Sequence, residues 1–282
     1  MPSKRVAFLQ LFFGIRVALG VGLFLTCALL SACGGRGAAT PGVDPERQSE
    51  SEYDVARDYF FKNQPRLALD HCRKAVELDD QNAKALYFAS AIHLFFCSGK
   101  LDLRDPDCRL ADAESYARRA LTVEPNFREA KNTLGQILIL EKRYPDAIAI
   151  LAPLTKDPAF ESSYLAWGNL GWAQVLAGQI DQGIESLKNS ITEPRFCVGH
   201  YRLGVAYAKK GDFAAAEQSL TNALAVDSAD CKALQDAWQA RADVRAHLGK
   251  VTEASADFER CRQISAETQT GKACVAALAR TP

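Results

Sequence analysis

The stretch WGNLGWAQVLAGQIDQGIESLKNSITEPRFCVGHYRLGVAYAKKGDFAAAEQSL, Trp167 to Leu220, decides the fold. Leu170 and Gly171 recur 33 residues later as Leu203 and Gly204, with Tyr207 just beyond. Another small residue, Gly183 or Ala216, stands 12 residues after each glycine. That spacing suits two antiparallel helices. Small residues let the backbones approach, and large ones fill the gaps between neighbouring hairpins. Each such hairpin can bury its apolar face only against its neighbours, so it must be repeated to be stable.

Trp-x2-Leu-Gly with a small residue 12 further on resembles the tetratricopeptide repeat, a helix–turn–helix unit of about 34 residues. The rest of the chain can be laid on this ruler as six repeats. The first places Tyr59 in its first helix and Ala68, Cys72 and Ala75 in its second. The second carries Leu86, Ser90 and His93, then resumes at Ala113, Ala117 and Ala120. The third has Leu134-Gly135, Ala147 and Leu151, and stops at Asp157-Pro158. The sixth has Trp238, Ala242, Ala254, Phe258 and Cys261, with a first helix about four residues longer than the template. Of the 18 positions where helices should touch most closely, 17 are Gly, Ala, Ser or Cys, Leu154 being the exception. The expectation is an all-α fold, a right-handed superhelix of six tetratricopeptide repeats over residues 50–282, closed by a capping helix from about Gly271 to Ala279.

The N-terminus is of another kind. Lys4, Arg5 and Arg16 make a basic start without a carboxylate, and Val17 to Leu30 is an apolar run too short for a comfortable membrane span. It ends in Leu30-Ser31-Ala32-Cys33, which resembles a bacterial lipobox. That resemblance implies a signal peptide over residues 1–32, cleavage before Cys33, and acylation of the Cys33 thiol and amino group. Several acyl chains, at ~0.8 kcal/mol per buried CH2, make a stable anchor in the lipid bilayer. Gly34 is not the aspartate of an inner-membrane retention signal, so the expected location is the periplasmic side of the outer membrane. Residues 33–49 (CGGRGAATPGVDPERQS) carry no apolar period and read as the lipidated cysteine and a flexible tether. Loss of the signal peptide leaves 31 Lys+Arg against 34 Asp+Glu, a mildly acidic surface that gives no reason to expect nucleic acid.

Of the nine cysteines, Cys27 leaves with the signal peptide and Cys33 is lipidated, so seven remain. Their spacings match neither zinc nor thioredoxin-like patterns, and export favours disulfides. Cys97 and Cys108 bracket an insertion in the second repeat. Cys197 and Cys231, 34 residues apart, stand at the starts of adjacent parallel helices. Cys261 and Cys274 lie level across a turn near Ala266 to Thr270. Cys72, in a helix interior, is left as a buried small apolar residue.

Chemistry-bearing motifs are missing. His71, His93, His200 and His247 sit singly, and no phosphate-cradling or nucleophile-elbow glycine run opens a helix. Charges are scattered along helix faces in the manner of solvated surfaces. The expectation is a protein without catalysis, cofactor, metal or small-molecule substrate. Stacking instead leaves the first helices lining a concave groove suited to a polypeptide. Residues at offsets 2, 5, 9, 12 and 13 of the repeat should face it. These include Tyr53, Phe60 and Phe61; Tyr87, Leu94 and Phe95; Asn132, Gln136 and Ile139; Leu165 and Trp172; and Tyr201. Trp172 and Phe61 are the candidate anchors for an extended or helical apolar segment.

A lipobox followed by six such repeats resembles the type IV pilus pilotins, and among them the myxobacterial social-gliding member. The residues that carry the resemblance are Arg195-Phe196-Cys197-Val198-Gly199-His200-Tyr201-Arg202-Leu203, then Cys231 heading a long helix with Trp238, Phe258-Glu259-Arg260-Cys261, and Cys274. It implies a lipoprotein whose groove holds a secretin monomer and whose acyl chains carry it to the outer membrane for multimerisation. Two other classes compete. One is a scaffold or regulatory subunit of another envelope machine, such as β-barrel assembly or peptidoglycan synthesis. The other is a thiol-redox enzyme, which requires an exposed cysteine of low pKa.

Overall fold

A computed structural model describes residues 44–98 and 107–280. The signal peptide, Cys33, tether residues 34–43 and the centre of the Cys97–Cys108 insertion lie outside the described residues. Every regular element described is helical, and no helix among them is long and apolar enough to cross a membrane.

The helices pair as six hairpins. They are α1 (Pro45–Phe61) with α2 (Pro65–Leu78), α3 (Ala83–Ser98) with α4 (Leu110–Val123), and α5 (Arg128–Leu140) with α6 (Tyr144–Leu154). Then follow α7 (Ser163–Leu176) with α8 (Ile180–Ser190) and α9 (Cys197–Lys210) with α10 (Phe213–Ala225). After the single turn α11 (Ala229–Lys232) come α12 (Gln235–His247) with α13 (Val251–Ile264), and α14 (Gln269–Leu278) closes the stack. Each first helix touches the first helix of the next hairpin, whereas no second helix approaches the next second helix comparably. The stack therefore curves with α1, α3, α5, α7, α9 and α12 on its inside.

Close approach is real where the glycines recur. A Cβ on Gly171 would lie 2.9 Å from the Gly183 carbonyl oxygen, and one on Gly183 would lie 2.9 Å from that of Gly171. The backbones of α7 and α8 meet there directly. The turn after each first helix is built alike in five hairpins, with a left-handed residue at Asn63, Lys142, Gly178, Gly211 and Gly249. Lys142, at φ 62°, is the costly member, since a Cβ in that conformation costs about 1–2 kcal/mol. In the second hairpin the insertion takes the place of this turn.

Leu154, the one bulky residue at a small position, is buried with Phe160 and Ala166. Its helix stops early, and the longer connection to α7 folds Phe160 back to receive it. Three disulfides, Cys97–Cys108, Cys197–Cys231 and Cys261–Cys274, are the pairs read from the repeat spacing, and Cys72 is free and buried.

Three sequence expectations need correction. The tether does not reach Ser49: α1 starts at Pro45, its cap Asp44 accepting from the Glu46 amide at 3.2 Å. Aspartate before proline is a strong helix start. Ser49 is itself buried and donates to the Ala75 carbonyl of α2 at 2.7 Å. The long helix expected from Cys231 through Trp238 is broken at Ala233 and Leu234, and the Trp238 indole N–H donates across the break to the Lys232 carbonyl at 2.9 Å. Finally, the charges of the sixth hairpin are not all solvated. Arg241 is 8% exposed and Asp257 3%, joined by two hydrogen bonds of 2.8 and 2.7 Å.

Candidate functional site

The inner face is assembled from the first helices, and the twelve expected groove residues divide on it. Phe61 and Phe95 are exposed, at 60% and 41%. Tyr53, Phe60, Tyr87, Gln136, Leu165, Trp172 and Tyr201 are half-buried. Leu94, Asn132 and Ile139 are buried and correct the expectation. Leu94 and Ile139 belong to the core shared by the second, third and fourth hairpins. They end their helices where the curve presses neighbours together, so offset 12 turns inward in those repeats.

The aromatic residues of the first two hairpins form a ladder rather than a row of free rings. Phe60 meets Phe88 and Phe95 edge-on, each at 5.4 Å between centroids, and Tyr53 meets Phe88 at 5.9 Å. Tyr87 packs on Phe127 at 4.9 Å, and burial, with Glu129 nearby, pushes its phenol up to about 12. Tyr201 is held between α9, α10 and the Cys197–Cys231 bond, and burial likewise raises it to about 12. These rings rigidify the wall of the groove. Phe61 is the most exposed large apolar residue at that end, and Phe95, although packed on Phe60 and Phe96, keeps part of its ring at the surface.

In the middle of the stack the wall becomes polar. Buried Asn169 of α7 donates to the Asn132 side-chain oxygen of α5 at 2.9 Å. Arg202 of α9 donates through Nη1 to the Asn169 side-chain oxygen at 2.9 Å and to the Gly168 carbonyl at 3.1 Å. Its guanidinium carbon stands 5.9 Å from the centre of the Trp172 ring. Asn132, Asn169 and Arg202 thus stitch three consecutive first helices together. Asn169 and Arg202 were not among the expected site residues. Both follow offset 5 by one, and the signal that could have found them is polarity at a position that is Phe88 in the second repeat and Ala240 in the sixth.

Three of the four histidines are engaged in packing contacts. His71 pairs with Glu52 and stacks on Tyr59, His93 stacks on Tyr116, and His247 on Phe213. Among the described residues no group of His, Cys, Asp or Glu is placed to hold a metal. The arrangement is suited to hold a chain by packing and hydrogen bonds.

Comparisons with known proteins agree with this architecture. The family model described as tetratricopeptide repeat matches residues 109–158 and 201–266. None of the curated proteins matches the sequence. Among solved structures, PilW, described as a widely conserved type IV pilus biogenesis factor, superposes with a TM-score of 0.65 at 18% identity, covering 80% of this chain and 98% of that one. PilF of Pseudomonas aeruginosa gives a TM-score of 0.62 at 15% identity, over 83% of this chain and 99% of that one. A tetratricopeptide repeat protein from Parabacteroides merdae gives 0.64 at 14% identity, over 86% and 87%. At these identities the likeness is one of fold, and the fold is that of a tetratricopeptide-repeat superhelix.

Proposed function

We propose that this chain is a non-enzymatic, pilotin-like lipoprotein that binds secretin subunits in its inner groove and promotes their outer-membrane targeting and multimerisation for type IV pilus assembly. The observation that carries the reading is end-to-end likeness of fold to PilW, a type IV pilus biogenesis factor, and to PilF of Pseudomonas aeruginosa, each covered almost completely by this chain. The lipobox at Cys33 and the cysteine pattern, which resembles that of the myxobacterial social-gliding lipoprotein Tgl, add the anchor and the compartment. The groove, with Phe61 and Phe95 exposed at one end and Trp172 half-buried at its middle, suits a polypeptide better than a small molecule.

A thiol-redox role has little support in these residues. The one free cysteine described, Cys72, is buried and its thiol is pushed up to about 12, far from a reactive thiolate. The scaffold reading, a regulatory subunit of a β-barrel or peptidoglycan machine, differs in its genetic outcome. Deleting the gene is expected to abolish heat-stable secretin multimers, and Cys33→Ala is expected to leave secretin monomers away from the outer membrane. Unchanged multimers in the deletion strain would overturn the proposal and favour the scaffold.

A further inference from the structure

Arg202 is anomalous among the arginines of this protein. Among the described residues, every other buried or half-buried arginine has a carboxylate within ion-pair distance: Arg73 with Asp70, Arg128 with Asp157, Arg143 with Glu114, and Arg241 and Arg245 with Asp257. Arg202 has none. Its bonds go to neutral oxygens, those of Gly168 and Asn169, and both use Nη1. The edge formed by Nε and Nη2, which carries three of the five guanidinium N–H donors, has no acceptor among the described residues. No aspartate or glutamate contributes to its electrostatics, and burial alone lowers its pKa, to about 10, so it stays charged at neutral pH.

Arg202 is half-buried, and a guanidinium partly withdrawn from water without a counter-ion is costly, whereas the other arginines of comparable burial here are paired. Its geometry is also not left to chance. Asn132 holds Asn169, Asn169 holds Nη1, and the Trp172 ring lies beside the guanidinium, so the free edge is fixed before anything binds. That edge matches a carboxylate side-on, two parallel N–H···O bonds being the strong geometry for this pair. We infer that Arg202 is a specificity site in the groove, where an aspartate or glutamate side chain of the bound polypeptide segment docks on the Nε–Nη2 edge beside Trp172. The acceptor is a side chain and not a chain end, because the inner face continues on both sides of Arg202, through α7 in one direction and α12 in the other. A segment laid in the groove passes this point. The partner segment would then be apolar with one acidic residue in its interior. This rests on the groove reading above and adds a chemical requirement to it.

The test uses the full lipidated chain in detergent, immobilised, with short peptides of mixed apolar composition around one fixed central residue. Amidated pools with central Glu or central Gln are compared on the wild type and on Arg202→Gln, with a third pool of central Gln and a free carboxyl terminus. The wild type is expected to retain the Glu pool about tenfold or more over the Gln pool, as a charge-assisted bidentate pair implies. Arg202→Gln brings that ratio to about one. If the variant proves unfolded in urea titration, the Glu-to-Gln ratio on the wild type still decides. Equal retention of the Glu and Gln pools overturns the inference and leaves the groove intact as a binding face. Retention of the free-terminus Gln pool in place of the amidated Glu pool also overturns it, in favour of a chain end. If the wild type retains no pool, the groove reading itself fails and this inference with it.

Discussion

Replacing Asp257 by asparagine is expected to lower the folding stability by about 3–5 kcal/mol, although the two side chains are nearly the same shape. Asp257 receives Arg241 through Nε and Nη2 at 2.8 and 2.7 Å, and Arg245 through Nη1 at 2.9 Å. With the carboxylate at 3% exposure and Arg241 at 8%, water cannot take over when the charge is lost. Arg245 keeps Glu217, at 3.0 Å, and Glu217 also holds Lys250 at 2.5 Å. Arg241 is left with no anion: the asparagine's one amide oxygen can accept a single bond in place of two, and beyond it stand the Trp238 ring, 4.9 Å away, and a long contact to Thr221. The cost is that of an uncompensated buried cation, so removing both members should cost much less. Asp257→Leu with Arg241→Met, two apolar residues of comparable volume, is expected to recover most of the loss, because replacing a buried pair is often neutral. Urea unfolding of the single and double variants measures both. A loss under about 1 kcal/mol for Asp257→Asn would mean that the network is wetter than its packing implies.

The second large effect is expected from the Cys197–Cys231 disulfide. It closes a loop of 34 residues, the longest of the three, against separations of 11 and 13 for the others. Chain-entropy reasoning gives about 4 kcal/mol for a loop of that length and about 3 kcal/mol for the shorter ones. The native state also depends on it locally. The one-turn α11 touches little besides α10, and the bond ties it to the start of α9 within a small core that includes Tyr201, Ala223 and Val226. Cys197→Ala with Cys231→Ala is therefore expected to lose about 2–4 kcal/mol by urea unfolding, more than Cys261→Ala with Cys274→Ala. The reverse order would show that strain or local packing outweighs loop length here.

Much of this fold is written locally. Gly171 and Gly183 predict a close crossing because nothing larger fits, and the cysteine pairs follow once the repeat is laid out. The expected pairing of hairpins needed only the period of small residues. What the period could not supply is rotation by one position around a helix. Leu94, Asn132 and Ile139 were placed on the groove by their offsets but lie inside, because the curve of the stack turns the same offset to different depths in different repeats. Asn169 and Arg202 show the converse, since they stand one position past offset 5, outside the set of offsets expected to face the groove.

The buried network of the sixth hairpin was legible in principle. Arg241 occupies the position held by Leu134, Leu170 and Leu203 in the third, fourth and fifth repeats, each directly before the small residue of the helix crossing. An arginine at a core leucine's place asks for a buried acid, and Asp257 supplies it from the facing helix. The break before α12 had no comparable signal, because neither glycine nor proline marks Ala233 or Leu234.

The central claim is that a secretin subunit lies along the inside of the curve. Site-specific photo-crosslinking in living cells tests it most directly, with the reactive residue placed singly at Phe61, Gln136 or Val205 on first helices, and at Leu78, Glu185 or Asn222 on second helices. The account predicts adducts to the secretin from the first three and none from the second three. Adducts from the second-helix positions alone would contradict it.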